Sequence, residues 1–169
     1  MKKVVLTFGV LCGAIPVLMF VIAPLISADL KNSLVLGWTT IILSSIFIFV
    51  GIRSYRENYN SGTISFGKAL RVGLLITLVG ALMYVIVWEI VYFNFMHDMM
   101  DKYFVMEMDK LKATGASPEE MDKSRAFWDS YKHNPFLNAA ITILEPTSVT
   151  IPVAFISSLI LKRKTKKED

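Results

Sequence analysis

Apolar residues are not spread evenly along this chain. They gather into four long runs, at 4–26, 34–52, 70–95 and 136–161, and nearly every charge lies between them. Each run approaches or exceeds the roughly 20 apolar residues that carry an α-helix across about 30 Å of hydrocarbon. None alternates with the period of two that marks a membrane β-strand, and a helix lets so apolar a segment satisfy its own backbone in lipid. The pattern predicts an all-α membrane protein of a single domain, a bundle of four transmembrane helices. The connections are unequal. Residues 27–33 make a tight turn, which predicts an antiparallel pair from the first two helices. Residues 53–68 form a polar loop, 96–134 the only sizeable region outside the spans, and 162–169 a basic tail.

The 96–134 region carries helical signals of its own. There is no Gly or Pro from Ala81 to Thr114, so the third helix is expected to continue out of the membrane. Met100, Phe104, Met108 and Leu111 recur at helical spacing, and Gly115 ends the run. Ser117-Pro118-Glu119-Glu120 then opens a second helix. Ser117 serves as N-cap, Pro118 suits the first turn and Glu120 completes a capping box. Met121, Trp128 and Tyr131 give this helix an apolar stripe. Together the two predict a helical hairpin outside the bilayer.

Composition sharpens the membrane reading. Hydrophobic residues make up 54% and charged residues 19%, against roughly a quarter charged in soluble domains, and the mean hydropathy is +0.52. The net charge of +4 is distributed for orientation. Lys2, Lys3, Arg53, Arg56, Lys68, Arg71, Lys162, Arg163, Lys164, Lys166 and Lys167 fall on one side of the predicted membrane. Lys31, Lys102, Lys110, Lys112, Lys123, Arg125 and Lys132 fall on the other, among nine acids. The denser basic side stays in the cytoplasm, which places both termini there and Trp38 and Trp88 near the outer interface. No basic stripe interleaves with aromatics, so nucleic acid is not an expected partner. The expected partners are the lipid bilayer, a membrane protein or a second copy of the chain.

The N-terminus resembles a secretory signal, with Lys2 and Lys3 before an apolar run and Ile26-Ser27-Ala28 as a passable cleavage site. The run is longer than the roughly 7–15 residues of a signal core, so a retained span is expected. Cys12 has no second cysteine to pair with, and Leu11 before it excludes a lipoprotein signal. No phosphate-cradling loop, nucleophile elbow or His-Glu-x-x-His occurs, so no enzyme and no cofactor is expected.

Candidate chemistry lies in two intramembrane acids, Glu89 in the third span and Glu145 in the fourth. A charge at such depth costs at least about 2.5–3.5 kcal/mol, so each carboxyl should be protonated, paired or in contact with water. Asn138, Thr142, Glu145 and Ser148 follow at i, i+4, i+7 and i+10, a polar face expected to point inward. Pro146 and Pro152 predict a kink nearby. Glu89 shares a face with Tyr92 and, two turns on, His97. One reading is a neutral Glu hydrogen-bonded across helices. The other is a proton- or cation-handling pair in a small transporter or channel. A weaker constellation, His97, Asp98 and Asp101 with His133, suits a divalent transition metal if the hairpin brings its ends together. Gly9 and Gly13 form G-x-x-x-G, and Ala69, Gly73 and Gly80 line the third helix, marking close helix packing within the chain or between subunits.

Several short motifs keep a recognisable order: Gly51-Ile52-Arg53-Ser54-Tyr55-Arg56, Ile64-Ser65-Phe66-Gly67-Lys68-Ala69, Gly73, Asn134-Pro135-Phe136 and Leu144-Glu145-Pro146. With four spans and a basic tail, they resemble the bacterial membrane family known as domain of unknown function 4199. The resemblance covers nearly the whole chain. It implies a four-helix domain of the bacterial inner membrane and no assigned activity, and it supplies no catalytic residues.

Overall fold

The computed structural model describes residues 1–26, 30–95 and 97–163, and within them all side chains except those of 20, 21, 23–26, 30–34 and 97–100. Of the expected turn at 27–33, residues 30–33 are already helix, because α2 begins at Leu30, and 27–29 lie outside the described residues, as does the tail beyond 163. The described chain folds into eight helices, α1 (Lys2–Ile26), α2 (Leu30–Ser44), α3 (Ile46–Tyr59), α4 (Phe66–Phe95), α5 (His97–Ala113), α6 (Pro118–His133), α7 (Pro135–Thr142) and α8 (Leu144–Leu161). Four stretches are long and apolar enough to cross a membrane: Lys2–Met19, Val35–Tyr59, Phe66–Phe95 and Pro135–Leu161. The outer surface agrees. Leu6, Leu18, Ile42, Leu78, Ile86 and Ile160 are all exposed, an apolar exterior on a scale that water does not favour.

Two of these stretches are interrupted, each at a local feature. The second is broken between α2 and α3 at Ser45. The Ser44 hydroxyl donates to the Ile41 carbonyl (3.0 Å) and that of Ser45 to Ile42 (2.6 Å), the back-bonding that bends helices at serine pairs. The fourth is broken between α7 and α8 at Ile143, three residues before Pro146, which has no N–H to give the Thr142 carbonyl. The interruption falls two residues before Glu145, near the position where the prolines predict a kink.

The core runs through the middle of the spans. Ile48, Ile52, Val72, Ile76 and Ala154 are fully buried. The tightest seam joins α1 to α4. A Cβ built on Gly13 would stand 2.8 Å from the Gly80 carbonyl oxygen, and one on Gly9 would stand 2.6 Å from the Val79 Cβ. The G-x-x-x-G of the sequence is thus spent inside the chain, where the two backbones approach too closely for any side chain. Gly73 serves α4 similarly against α8 and α3, with Ala154 Cβ and Ile52 Cδ1 each 3.0 Å from the space a Cβ would take.

At one end of the molecule the helix termini are tied together. α3 continues as helix through 53–59, residues expected in the loop, because Tyr55 still buries its ring while Arg53 and Glu57 face outward. The short connection that remains turns through Ser61 (φ 51°) and Gly62 (φ 73°). Ile64 then pairs with Arg163 in an isolated antiparallel bridge, the two N–H···O bonds measuring 2.9 and 2.8 Å. Arg56 donates to the Leu161 carbonyl (3.1 Å), closing the C-terminus of α8 with a cation, the sign its dipole favours.

At the other end α5 and α6 follow α4. Whether α4 runs on unbroken into α5 turns on Met96, outside the described residues. α5 stops at Gly115 (φ 74°): the Ala116 N–H reaches the Leu111 carbonyl and the Gly115 N–H that of Lys112, both at 3.0 Å, a Schellman ending. Ser117 caps α6, and its capping box with Glu120 is formed in both directions. Tyr103 of α5 meets Trp128 of α6 edge to face, centroids 5.1 Å apart, and Lys132 of α6 pairs with Asp101 of α5.

The α1–α4 seam makes a sharp expectation. Gly13→Ala should lower unfolding stability in mixed micelles by about 1–3 kcal/mol, the usual cost of overpacking. Gly37→Ala, where a Cβ meets nothing within 4 Å, should be neutral or slightly stabilising. Equal effects at both positions would contradict the seam.

Candidate functional site

A set of polar groups from the third and fourth apolar stretches meets where α4, α6, α7 and α8 converge. α4 presents Tyr84, Trp88 and Tyr92 at i, i+4 and i+8, so three aromatic rings with polar tips lie along one face. Asn134 fixes the entry of α7. Its side chain accepts from the N–H groups of Phe136 (3.0 Å) and Leu137 (3.1 Å), with Pro135 in the first turn. That start, and the break at Ile143, aim Asn138 and Thr142 inward, where both are buried.

The hydrogen bonds fall into two groups. Tyr84 Oη donates to Glu145 Oε2 at 2.8 Å. Asn138 Oδ1 accepts from Trp88 Nε1 (3.0 Å) and from Thr142 Oγ1 (3.2 Å). Asn138 Nδ2 reaches the Tyr131 carbonyl at 3.5 Å, and the Tyr131 and Thr142 hydroxyls stand 3.3 Å apart. Rings fill the remaining space: Trp88 stacks on Tyr92 at 5.8 Å, and Tyr92 meets Tyr131 edge to face at 6.1 Å. Burial pushes the Tyr131 phenol above its ordinary pKa, opposed by its hydrogen bonds with Thr142 and Trp88.

Glu145 itself is half-buried, and its carboxyl meets a neutral phenol, with no ion pair to Lys, Arg or His among the described residues. Ser148 lies apart from this cluster. It is exposed, and its hydroxyl turns back to the Glu145 carbonyl at 2.8 Å. The reason is helical phase. The buried ridge of the fourth span is Thr142, Pro146, Thr150 and Ala154, so a step of ten from Asn138 falls off that face.

Glu89 stands on α4, one residue beyond Trp88. Its Oε1 is buried without a hydrogen-bond partner among the described residues, so the two acids do not share a hydrogen bond. Tyr84 and Pro146 also border a small cavity of about 10 Å³, lined further by Cys12, Pro16, Thr77 and Thr150. That is room for about one water molecule.

The metal constellation is not assembled among the described residues. His133 Nδ1 contacts the Asp129 carbonyl oxygen at 2.9 Å, and Asp101 is engaged by Lys132. The side chains of His97 and Asp98 lie outside the described residues, among which no group of three potential ligands forms.

The sequence pattern of the family described as protein of unknown function (DUF4199) matches residues 7–163. The chain belongs to the DUF4199 family. No curated protein and no solved structure matches it. In this DUF4199 protein the motif residues do structural work. Arg56 and Ile64 hold α8 at one end, Asn134 caps α7, and Glu145-Pro146 marks the helix break and the bond to Tyr84. The partners of the polar face, Tyr84, Trp88 and Tyr131, were missed in the sequence, where Trp88 read as an interface anchor. The i, i+4, i+8 spacing of Tyr84, Trp88 and Tyr92 was a signal for a polar-tipped face of α4, but it named neither Tyr131 nor the group each ring meets.

Interhelical hydrogen bonds in membranes contribute on the order of 0.6–2 kcal/mol. A double-mutant cycle of Tyr84→Phe and Glu145→Leu should therefore show coupling of about 1 kcal/mol in micelle unfolding. Additive effects would place the two side chains in separate environments.

Proposed function

We propose that this DUF4199 protein is a non-catalytic structural or accessory component of a cell inner membrane. In this reading the spans form a four-helix bundle. Both termini face the cytoplasm, following the count of basic residues. α5 and α6 form a helical hairpin on the opposite side. Exposed Val105, Met106 and Phe127 on that hairpin suit a membrane-protein partner or a second copy of the chain. No residue is assigned a catalytic role and no cofactor is called for.

One observation carries this reading: the half-buried Glu145 carboxyl is held by Tyr84 across the contact of α4 with α8. A carboxyl that carries protons or cations needs water, or a further acceptor, on both sides of it. Here the adjoining cavity accommodates about one water, and Asn138, Thr142 and Tyr131 spend their hydrogen bonds on each other. Glu145 in this setting is helix-to-helix glue beside a proline break. The competing route through Glu145 and Glu89 would require those contacts to open.

The test is a flux measurement. Liposomes containing the purified protein should hold an imposed pH or cation gradient as long as empty liposomes do, and Glu145→Gln should change nothing. A flux in the parent protein that Glu145→Gln abolishes would overturn the structural role.

A further inference from the structure

The tied end of the molecule carries an unbalanced charge. Arg53 and Arg56 lie in the last two turns of α3, Lys68 and Arg71 in the first two turns of α4, and Lys162 and Arg163 directly after α8. Among the described residues Glu57 is the only acid at this end, and Arg56 engages it. Of these six, the five besides Arg56 are exposed and have no ion-pair partner among the described residues. The Ile64–Arg163 bridge holds Arg163 against the α3–α4 connection, so charges from three separate segments are kept in one region.

Exposed apolar side chains stand beside these charges. Val50 is three residues before Arg53, Leu74 three after Arg71, and Ile160 three before Arg163, and they are 40%, 39% and 66% exposed. At about 1.5 Å per helical residue, Val50–Arg53 and Arg71–Leu74 each step from apolar to basic within about 5 Å along the helix axis. A soluble anion would use only the basic half of such a pair. A phospholipid uses both, with acyl chains against the aliphatic side chains and phosphate against the guanidinium groups.

We propose that this end binds the headgroups of anionic phospholipids, with Arg53, Arg71 and Arg163 as the principal phosphate contacts. The proposal rests on the membrane reading and is independent of the role of Glu145, so the flux measurement does not bear on it.

The test is thermal unfolding of the full chain in neutral detergent during titration with phosphatidylglycerol. The midpoint should rise, and 0.5 M NaCl should suppress the rise in the parent protein. With about a fivefold contribution per charge, the R53Q/R71Q/R163Q variant should need on the order of a hundredfold more lipid for the same shift, with its lipid-free midpoint unchanged. Phosphatidylcholine of the same chain length, and sodium phosphate alone, should each give little shift. An equal shift with phosphatidylcholine would overturn the charge selectivity, and an equal shift with sodium phosphate would assign the site to a free anion. Insensitivity of the parent to salt, or parent-like titration of the variant, would overturn the proposal outright.

Discussion

In hydrocarbon a backbone N–H or C=O that loses its helical partner has no water to turn to, and that constraint accounts for where this chain departs from unbroken helices. At the Ser44–Ser45 interruption two hydroxyls bond back to the preceding turn. Beyond the break at Ile143, Thr147 reaches the Ile143 carbonyl and Thr150 that of Pro146, at 2.6 and 2.8 Å. Much of the short polar side-chain content of the spans is therefore committed to the backbone of its own helix. Contacts between helices among the described residues include Tyr84 with Glu145, and Trp88 and Tyr131 with Asn138 and Thr142.

Two kinds of adhesion hold the spans together, and they act at different heights. Near the middle of the spans α1 and α4 meet at glycines, where the gain is close packing over bare backbone. Toward α6 and α7 the contacts are hydrogen bonds among large polar-tipped rings, which fix one arrangement because each donor needs its own acceptor. At the opposite end the Ile64–Arg163 bridge and Arg56 join the α3–α4 connection to the end of α8.

The sequence disclosed the elements better than their meetings. Run length and charge placement pointed to four apolar helical stretches, and the signals at Gly115, Ser117 and Pro146 each mark a helix end or break in the structure. Residues 53–59 misled because a polar stretch reads as loop, although Tyr55 keeps one face of it in the core. Ser148 misled because ten residues from Asn138 is out of step with the buried ridge that continues through Thr142, Pro146, Thr150 and Ala154. The partner of Glu145 could not be read at all: Tyr84 lies 61 residues away, and that pairing is set by how α4 crosses α8.

The account depends first on lipid being the solvent for the exposed apolar surface that runs from Leu6 to Ile160. The most direct measurement is the behaviour of the expressed chain in isolated membranes washed with alkaline carbonate. It should stay with the membrane pellet and enter solution only with detergent. A folded monomer recovered in the detergent-free supernatant would contradict the account.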